Sequence, residues 1–148
     1  MAHVERLVLT TLISVQFPST RGEGRPGGAP GVVDYRLDRR RLLRAFRAGS
    51  LDREDVCDAQ IELLRVAKNY SSAAPVRCPV CDERSLRHVR FVFGPRLPAN
   101  GRCINSAAEL ERLAQKSGTY HCYLVEVCLD CRWNHLLSTF PLRSQRSA

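Results

Sequence analysis

Four cysteines stand in two C-x2-C pairs, Cys78 with Cys81 and Cys128 with Cys131. A C-x2-C turn presents two thiolates on one side of a tight loop, which is half of a tetrahedral zinc shell. Two such pairs complete the shell, and soft thiolate ligands suit zinc. The 46 residues between the pairs are enough for the chain to lead away from the first turn as a strand and to bring the second turn back beside it. The sequence therefore predicts one structural Zn²⁺ bound by these four cysteines.

Paired cysteines also serve as disulfides or as redox catalysts. A disulfide framework requires an oxidising compartment, and the sequence shows only a poor secretion signal. A thioredoxin-like centre uses a single C-x2-C at the start of a helix in a βαβ unit. Two facing pairs favour zinc over both, and we expect a cytoplasmic protein.

Three further cysteines lie outside the pairs. Cys57 falls in a predicted helix and Cys122 in a predicted strand, where both are expected to be small buried hydrophobic residues. Cys103 falls in a predicted loop beside Arg102, where a reactive thiol is the alternative.

A polar cluster surrounds the second pair. We expect these residues to support the ligands or to pack beside them: Glu126, Trp133, Asn134 and His135. His135 follows Cys131 by four residues and could replace a thiolate ligand. Glu126 lies within an apolar strand and needs a partner there, for which Arg90, Arg132 and His135 are candidates. A catalytic acid at Glu126 is the minority alternative.

The elements that position these residues begin with a helix over residues 34–49, with Asp34 as N-cap and Gly49 at its end. Its polar faces carry arginines. The candidates for contact with phosphate are Arg36, Arg39, Arg40, Arg44 and Arg47. A solvated basic face is the simpler interpretation of the same pattern.

Two shorter helices are predicted over residues 53–58 and 59–68, the latter with Ile61, Leu64 and Ala67 at helical spacing. Three helices in a row could form a helix-turn-helix, but no spacing selects a recognition helix. A break at 71–75 then suggests a subdomain boundary.

The second half alternates strands with one helix. Strands are predicted at 86–93, 119–127 and 132–142, and a capping box at Ser106 opens a short helix that closes near Gly118. The predicted fold class is α+β: a small antiparallel zinc-ribbon-type sheet with an inserted helix, preceded by a short three-helix cap.

The predicted domain organisation has four parts. Residues 1–31 join an apolar stretch to a Gly/Pro-rich run that cannot build a core, and we expect a disordered or dispensable extension there. A secretory signal or a later translation start are the alternatives. Residues 32–74 form the helical cap, 75–142 the zinc-ribbon-like domain, and 143–148 a tail.

The amino-acid composition restricts the classes of function that the protein can have. The 148 residues carry a net charge of +8 and are 44% hydrophobic, as in an ordinary globular protein. No apolar run approaches the roughly 20 residues of a membrane helix. The positive charge favours an anionic partner, and the sequence lacks the common hydrolase, phosphate-loop and metalloprotease motifs.

Several motifs together resemble an uncharacterised actinobacterial family of small cytoplasmic proteins, a domain-of-unknown-function family. They are RCPVC at 77–81, VFG at 92–94 and VEVC-x2-C-x-WNHL at 125–136, preceded by VDY at 33–35 and DVCDA at 55–59. The resemblance covers about residues 32–142. It implies a zinc-ribbon-like architecture and no established activity.

The sequence as a whole favours a non-catalytic zinc-binding adaptor that contacts nucleic acid or a nucleic-acid machine such as RNA polymerase or the ribosome. Trp133, Phe91 and Tyr123 are candidates for stacking on bases. A protein–protein interaction module with purely structural zinc is the first alternative. A cysteine- or metal-dependent enzyme is the second. The oligomeric state is left open.

Overall fold

A computed structural model of the protein describes residues 31–142. Predictions for residues 1–30 and 143–148 lie outside the described residues. The helices are α1 (Arg36–Arg47), α2 (Arg53–Val56), α3 (Ile61–Asn69) and α4 (Ala107–Ala114). The strands are β1 (Val33–Asp34), β2 (Ser72–Ala73), β3 (Leu86–Phe93), β4 (Arg102–Cys103), β5 (His121–Cys128) and β6 (Asn134–Pro141). Within residues 31–142, no helix is both long and apolar enough to cross a membrane.

The first helix begins one residue later than an Asp34 N-cap would place it. Asp34 belongs to β1 and pairs with Ser138, while Tyr35 takes the N-cap position. The Asp34 carboxylate still accepts a hydrogen bond from the Arg36 N–H at 2.9 Å. Gly49 follows the helix with a φ of +81°, a conformation that favours glycine and ends the helix.

The other two helices of the predicted cap are shorter than expected. Asp52 and Asp55 form a capping box that opens α2, as acidic residues at a helix start do. In α3, Leu63 and Ala67 face the core, whereas Ile61 is 60% exposed. Of the residues whose spacing predicted this helix, Ile61 lies outside the buried face, because the helix starts there and its first buried residue is Leu63.

One open antiparallel sheet joins both halves of the chain. Its strand order is β1-β6-β5-β3-β2. The short β4 pairs with the C-terminal end of β3, at Phe91 and Val92. The mixed helix and antiparallel sheet of the predicted fold class are confirmed, and β3 has the predicted bounds. β2 lies within the predicted break at 71–75 and pairs with β3. The segment after α3 is therefore part of the sheet.

The core lies in three clusters around this sheet. Helix α3 packs on β3 and β5, where alternate strand residues such as Val89, Phe91 and Val125 are buried. A second cluster forms where Leu113 of α4 meets Val92 and Cys122. The third contains Leu43 of α1, Trp133 and two of the paired cysteines. The cysteines thus lie at an end of the sheet that helix packing also stabilises.

Candidate metal centre

The first C-x2-C turn is a closed loop between β2 and β3. The Cys78 N–H donates to the Glu83 carbonyl at 2.9 Å, and the Asp82 N–H returns to the Cys78 carbonyl at 3.0 Å. The Val80 N–H points at the Cys78 sulfur at 3.4 Å. Asp82 has a φ of +61°, which turns the chain sharply enough to leave both sulfurs on one side.

The second turn repeats the first. The Cys128 N–H donates to the Trp133 carbonyl at 2.8 Å, and the Arg132 N–H returns to the Cys128 carbonyl at 3.1 Å. Arg132 has a φ of +70° and occupies the same position in its turn as Asp82 in the first. Residues 78–83 and 128–133 are therefore two copies of one knuckle.

The strands bring these knuckles face to face. β3 and β5 pair in antiparallel register, with Leu86 opposite Cys128. Beyond that pair the Leu129 N–H donates to the Ser85 carbonyl at 3.1 Å, and the Ser85 hydroxyl donates to Asp130. The ladder thus continues between the two knuckles and fixes their separation.

The four sulfurs form a compact group. The Cys78 and Cys131 sulfurs are 3.6 Å apart, as are those of Cys81 and Cys128, and all four lie within 4.8 Å of one another. A tetrahedral zinc with Zn–S bonds of about 2.3 Å places its sulfurs about 3.8 Å apart. The four cysteines are thus arranged to hold a metal ion.

Burial differs across the cluster. Cys78 and Cys128 are buried, and Cys81 and Cys131 are partly exposed. Burial raises the pKa of the Cys78 thiol to about 12, so this group is a neutral thiol at pH 7 and a bound cation must displace its proton. On the exposed side a surface cavity of about 700 Å³ is lined by Arg53, Val80, Cys81, Glu83, Asp130 and Cys131.

A fifth cysteine lies against the cluster, which spacing in the sequence did not reveal. Cys57 and Cys131 pack against the same group of buried residues, which includes Cys78 and Cys128, and burial raises the pKa of the Cys57 thiol. Cys57 follows α2 as its C-cap and is only partly buried, so the prediction of a buried filler was wrong. The two residues are 74 positions apart in the chain, and no local pattern connects them.

The other two cysteines stand apart from the centre. Cys122 is buried as predicted, and burial raises its pKa to about 12. The Cys103 thiol donates to the Tyr70 carbonyl at 3.2 Å, and burial raises its pKa to about 11. A neutral thiol at pH 7 is a weak nucleophile, which argues against a reactive Cys103.

Glu126 has an ion-pair partner and a hydrogen-bond partner that were not predicted, although the predicted His135 lies opposite it across β5 and β6. Its side chain is 3% exposed and pairs with the Arg39 guanidinium, and it accepts a hydrogen bond from the Trp133 indole N–H at 2.9 Å. Arg132, one predicted partner, instead donates its Nε–H to the Ala59 carbonyl at 2.8 Å. The correct cation comes from α1, because this helix packs on β6 beside the strand that carries Glu126.

His135 and Asn134 lie at the start of β6 and are buried. The His135 ring stacks on Trp133 with centroids 5.9 Å apart, and its Nδ1 hydrogen-bonds to the Leu136 carbonyl at 2.6 Å. His135 is not among the four residues of the sulfur cluster. The Asn134 amide donates to Asp58 at 2.9 Å and so connects β6 to the chain beside Cys57.

Acidification is expected to destabilise the protein through His135. Burial lowers the pKa of His135 below 6.5, while the charges of Glu126 and Arg39 act in opposite directions on it. The unfolded chain therefore binds more protons, and stability present above pH 6.5 is lost as the pH falls below it, by at most about 1.4 kcal/mol per pH unit. Urea unfolding between pH 5 and 7.5 measures this slope. His135→Phe keeps a ring against Trp133 and should reduce the slope, whereas an unchanged slope would contradict the assignment.

The candidate nucleic-acid residues separate into two groups. Arg36, Arg40, Arg44 and Arg47 are exposed, whereas Arg39 is bound to Glu126 and is not available as a contact. The stacking prediction was wrong for Trp133 and Phe91, which are buried. Tyr123 packs edge-on against Phe93 at 5.1 Å. The sequence misjudged these aromatics because strand alternation does not show that helices cover both faces of the sheet.

Comparison with known proteins agrees with the resemblance found in the motifs. Residues 29–148 match a family described as "Family of unknown function (DUF5318)". Uncharacterized proteins of Mycobacterium bovis and Mycobacterium tuberculosis are 39% identical over 116 residues, covering 78% of this chain and 85% of theirs. No solved structure matches the chain. The two knuckles and the sheet that joins them are thus features of a protein that belongs to the DUF5318 family.

Proposed function

We propose that the protein is a non-catalytic zinc-binding adaptor whose helix α1 contacts the phosphate backbone of nucleic acid, alone or within a machine such as RNA polymerase or the ribosome. One structural Zn²⁺ is held by Cys78, Cys81, Cys128 and Cys131. The 3.6 Å sulfur separations support zinc. Four thiolates complete a tetrahedral shell and leave no position for a reacting water, which supports a non-catalytic role. Seven free cysteines support a reducing cytoplasm.

The observation that carries the nucleic-acid contact is an arginine stripe on α1, formed by Arg36, Arg40, Arg44 and Arg47. At 100° per residue these four positions fall within about 80° of the helix circumference, and they span about 16 Å along its axis. Leu42 and Phe46, which pack against the buried cluster around Trp133, lie about 120–160° from the centre of the stripe, and the buried Leu43 lies at its edge. Four cations in a row on an exposed face match the regular anions of a nucleic-acid strand.

The stripe is available for an external anion. Among residues 31–142, Arg40, Arg44 and Arg47 pair with no carboxylate, and Arg36 contacts only the exposed Asp34 at 3.5 Å. Such an exposed pair contributes little. Because phosphate contacts alone carry no base information, we expect binding with little sequence preference.

Neutralising the stripe should weaken nucleic-acid binding and its salt dependence together. We expect Arg40→Gln/Arg44→Gln/Arg47→Gln to reduce the slope of log K against log salt by about 2–3, because each lost phosphate contact removes about 0.7–0.9. Fluorescence anisotropy with labelled single-stranded RNA and duplex DNA measures both quantities. A matched control removes the same charge from α3 and α4, as Arg65→Gln/Lys68→Gln/Arg112→Gln.

The results separate the alternatives. An equal loss in the control would show a general charge effect and would contradict a contact at α1. Absence of binding to RNA and DNA even at low salt would refute the nucleic-acid contact and favour a protein–protein interaction module with structural zinc. Leu37, which is 52% exposed on α1, favours that second function, because a protein partner would cover it. Nuclease treatment would then leave capture of the partner by the tagged protein unchanged.

A further inference from the structure

One face of the sheet is covered by apolar helix contacts at its two ends. At the knuckle end, Leu43 of α1 packs with Leu86 and Trp133. At the other end, Leu113 of α4 packs with Val92. Helix α3 packs on the opposite face. Within residues 31–142, neither of the first two clusters covers the stretch of sheet between α1 and α4, which we call the central gap.

The strand register identifies the floor of the central gap, because residues directly opposed in antiparallel strands project to the same face. The middle row of the floor consists of Arg90, Leu124, Ser138 and Asp34. The row toward the knuckles consists of His88, Glu126 and His135. Arg90, Leu124 and His88 are half-buried, so this part of the floor is accessible to a solute.

Each carboxylate that faces or borders the gap has an arginine of its own. The pairs are Asp34 with Arg36 at 3.5 Å, Glu126 with Arg39, and Glu109 of α4 with Arg102 at 2.6 Å. Within residues 31–142, the Arg90 guanidinium forms neither an ion pair nor a hydrogen bond. A half-buried cation in this state has lost part of its hydration without gaining a partner. An external anion would supply that partner.

The electrostatics at His88 agree with an excess of positive charge over this floor. Burial lowers the pKa of His88, and the charges of Arg90, Arg36 and Arg39 lower it further, while Glu126 acts in the opposite direction. The three guanidinium groups come from a strand and from the helix above it. His88 is mainly neutral at pH 7 and can donate one ring N–H to an anion.

The dimensions of the gap restrict what can enter it. The rows of Leu86 and Val92 are separated by about 20 Å along β3, and helices about 10 Å wide cover both rows. About 10 Å remains between them, which admits a phosphate group and a short piece of single strand. A guanidinium presents parallel N–H donors that match two phosphate oxygens. The choice of phosphate rests on the proposed function, since Arg36 belongs both to the arginine stripe and to the edge of the gap.

We propose that the central gap binds one phosphate group, with Arg90 as its central cation and Arg36 and the His88 N–H as further donors. The group is either a phosphomonoester, free or at the end of a strand, or a phosphodiester of a strand that lies along α1. Both have two unesterified oxygens for the guanidinium. The site requires neither the metal nor the exposed arginines 40, 44 and 47.

Inorganic phosphate tests the site without nucleic acid. The reduced full-length protein is titrated with phosphate, with chloride at equal ionic strength as reference, and amide chemical shifts are followed by NMR. We expect saturable shifts over residues 88–92 and 122–126. Arg90→Gln should bind at least about tenfold more weakly, because a charge-assisted contact is lost. Arg65→Gln removes the same charge from α3 on the opposite face and should behave as wild type.

The fold of Arg90→Gln is controlled by its melting temperature. Because Arg90 has no partner among residues 31–142, its replacement should not lower the melting temperature in chloride. Phosphate should raise the melting temperature of the wild type and of Arg65→Gln by mass action, but not that of Arg90→Gln. Equal effects of phosphate and chloride on the wild type, or shifts confined to residues 40–47, would overturn the proposal. Both of these readouts use the wild type and do not depend on how the variant folds.

Two RNAs distinguish the sources of the phosphate: one single strand with a 5′-phosphate, and the same strand with a 5′-hydroxyl. If the group is terminal, Arg90→Gln weakens binding of the first RNA alone. If it belongs to the backbone, Arg90→Gln weakens both equally. If neither RNA binds but inorganic phosphate does, the nucleic-acid contact is refuted and the gap is a site for a free phosphomonoester. If both RNAs bind and Arg90→Gln affects neither, the contact at α1 stands and the site in the gap is refuted.

Discussion

Removal of the metal is expected to unfold the cysteine-bearing end of the sheet and to lower the free energy of unfolding by about 10 kcal/mol or more. Both knuckles have a residue with positive φ, a backbone conformation that is unfavourable for these residues unless the surrounding structure holds it. Without a cation, four sulfurs within 4.8 Å provide no comparable attraction. Thermal melts followed by circular dichroism, with and without a strong chelator, measure the loss.

Single ligand substitutions test the same centre without a chelator. We expect Cys128→Ser to lose zinc and to shift the melting curve about as far as chelation does, because three thiolates hold the ion far more weakly than four. Cys103→Ser changes the same atom outside the centre and should keep its zinc. Equal melting temperatures with and without metal would contradict a structural role for zinc.

The sequence was a good guide wherever the determining interactions are local. The alternation over Leu86–Phe93 gave that strand its exact bounds, and Ser106 caps α4 through a hydrogen bond to the Glu109 N–H. The two C-x2-C pairs also share a turn geometry that depends on six residues. Because each of these features is fixed within a few residues of chain, composition and spacing identify it.

The features that sequence reasoning missed are contacts across long stretches of chain. Arg39 and Glu126 are 87 residues apart, and the segment beside Cys57 is held by Asn134 and Arg132, which bind Asp58 and Ala59 from 76 and 73 positions away. Which arginine meets a buried carboxylate depends on how α1 lies on the sheet. Helical periodicity identifies the inner face of α1, but it does not say which strand residue that face meets.

The second large effect is expected at this ion pair: Arg39→Met should destabilise the protein by about 2–4 kcal/mol. The substitution keeps an apolar stem of similar length but leaves Glu126 charged and without its cation. The carboxylate side chain is 3% exposed and the Arg39 side chain 22% exposed. Because the Arg39 side chain is partly exposed, we expect a smaller loss of stability than the maximum for a fully buried ion pair. Urea unfolding at pH 7 measures it.

Arg40 provides the control, because it is the next residue on the same helix and is exposed. We expect Arg40→Met to change stability by less than about 0.5 kcal/mol while weakening nucleic-acid binding, the reverse of the effect of Arg39→Met. Adding Glu126→Gln to Arg39→Met should restore part of the lost stability, because a neutral amide needs no cation and its oxygen still accepts the Trp133 N–H. If Arg39→Met and Arg40→Met are equally stable, the ion pair between Arg39 and Glu126 does not contribute as proposed. If they differ as expected, one helix serves two purposes: Arg39 stabilises the fold and Arg40 faces the partner.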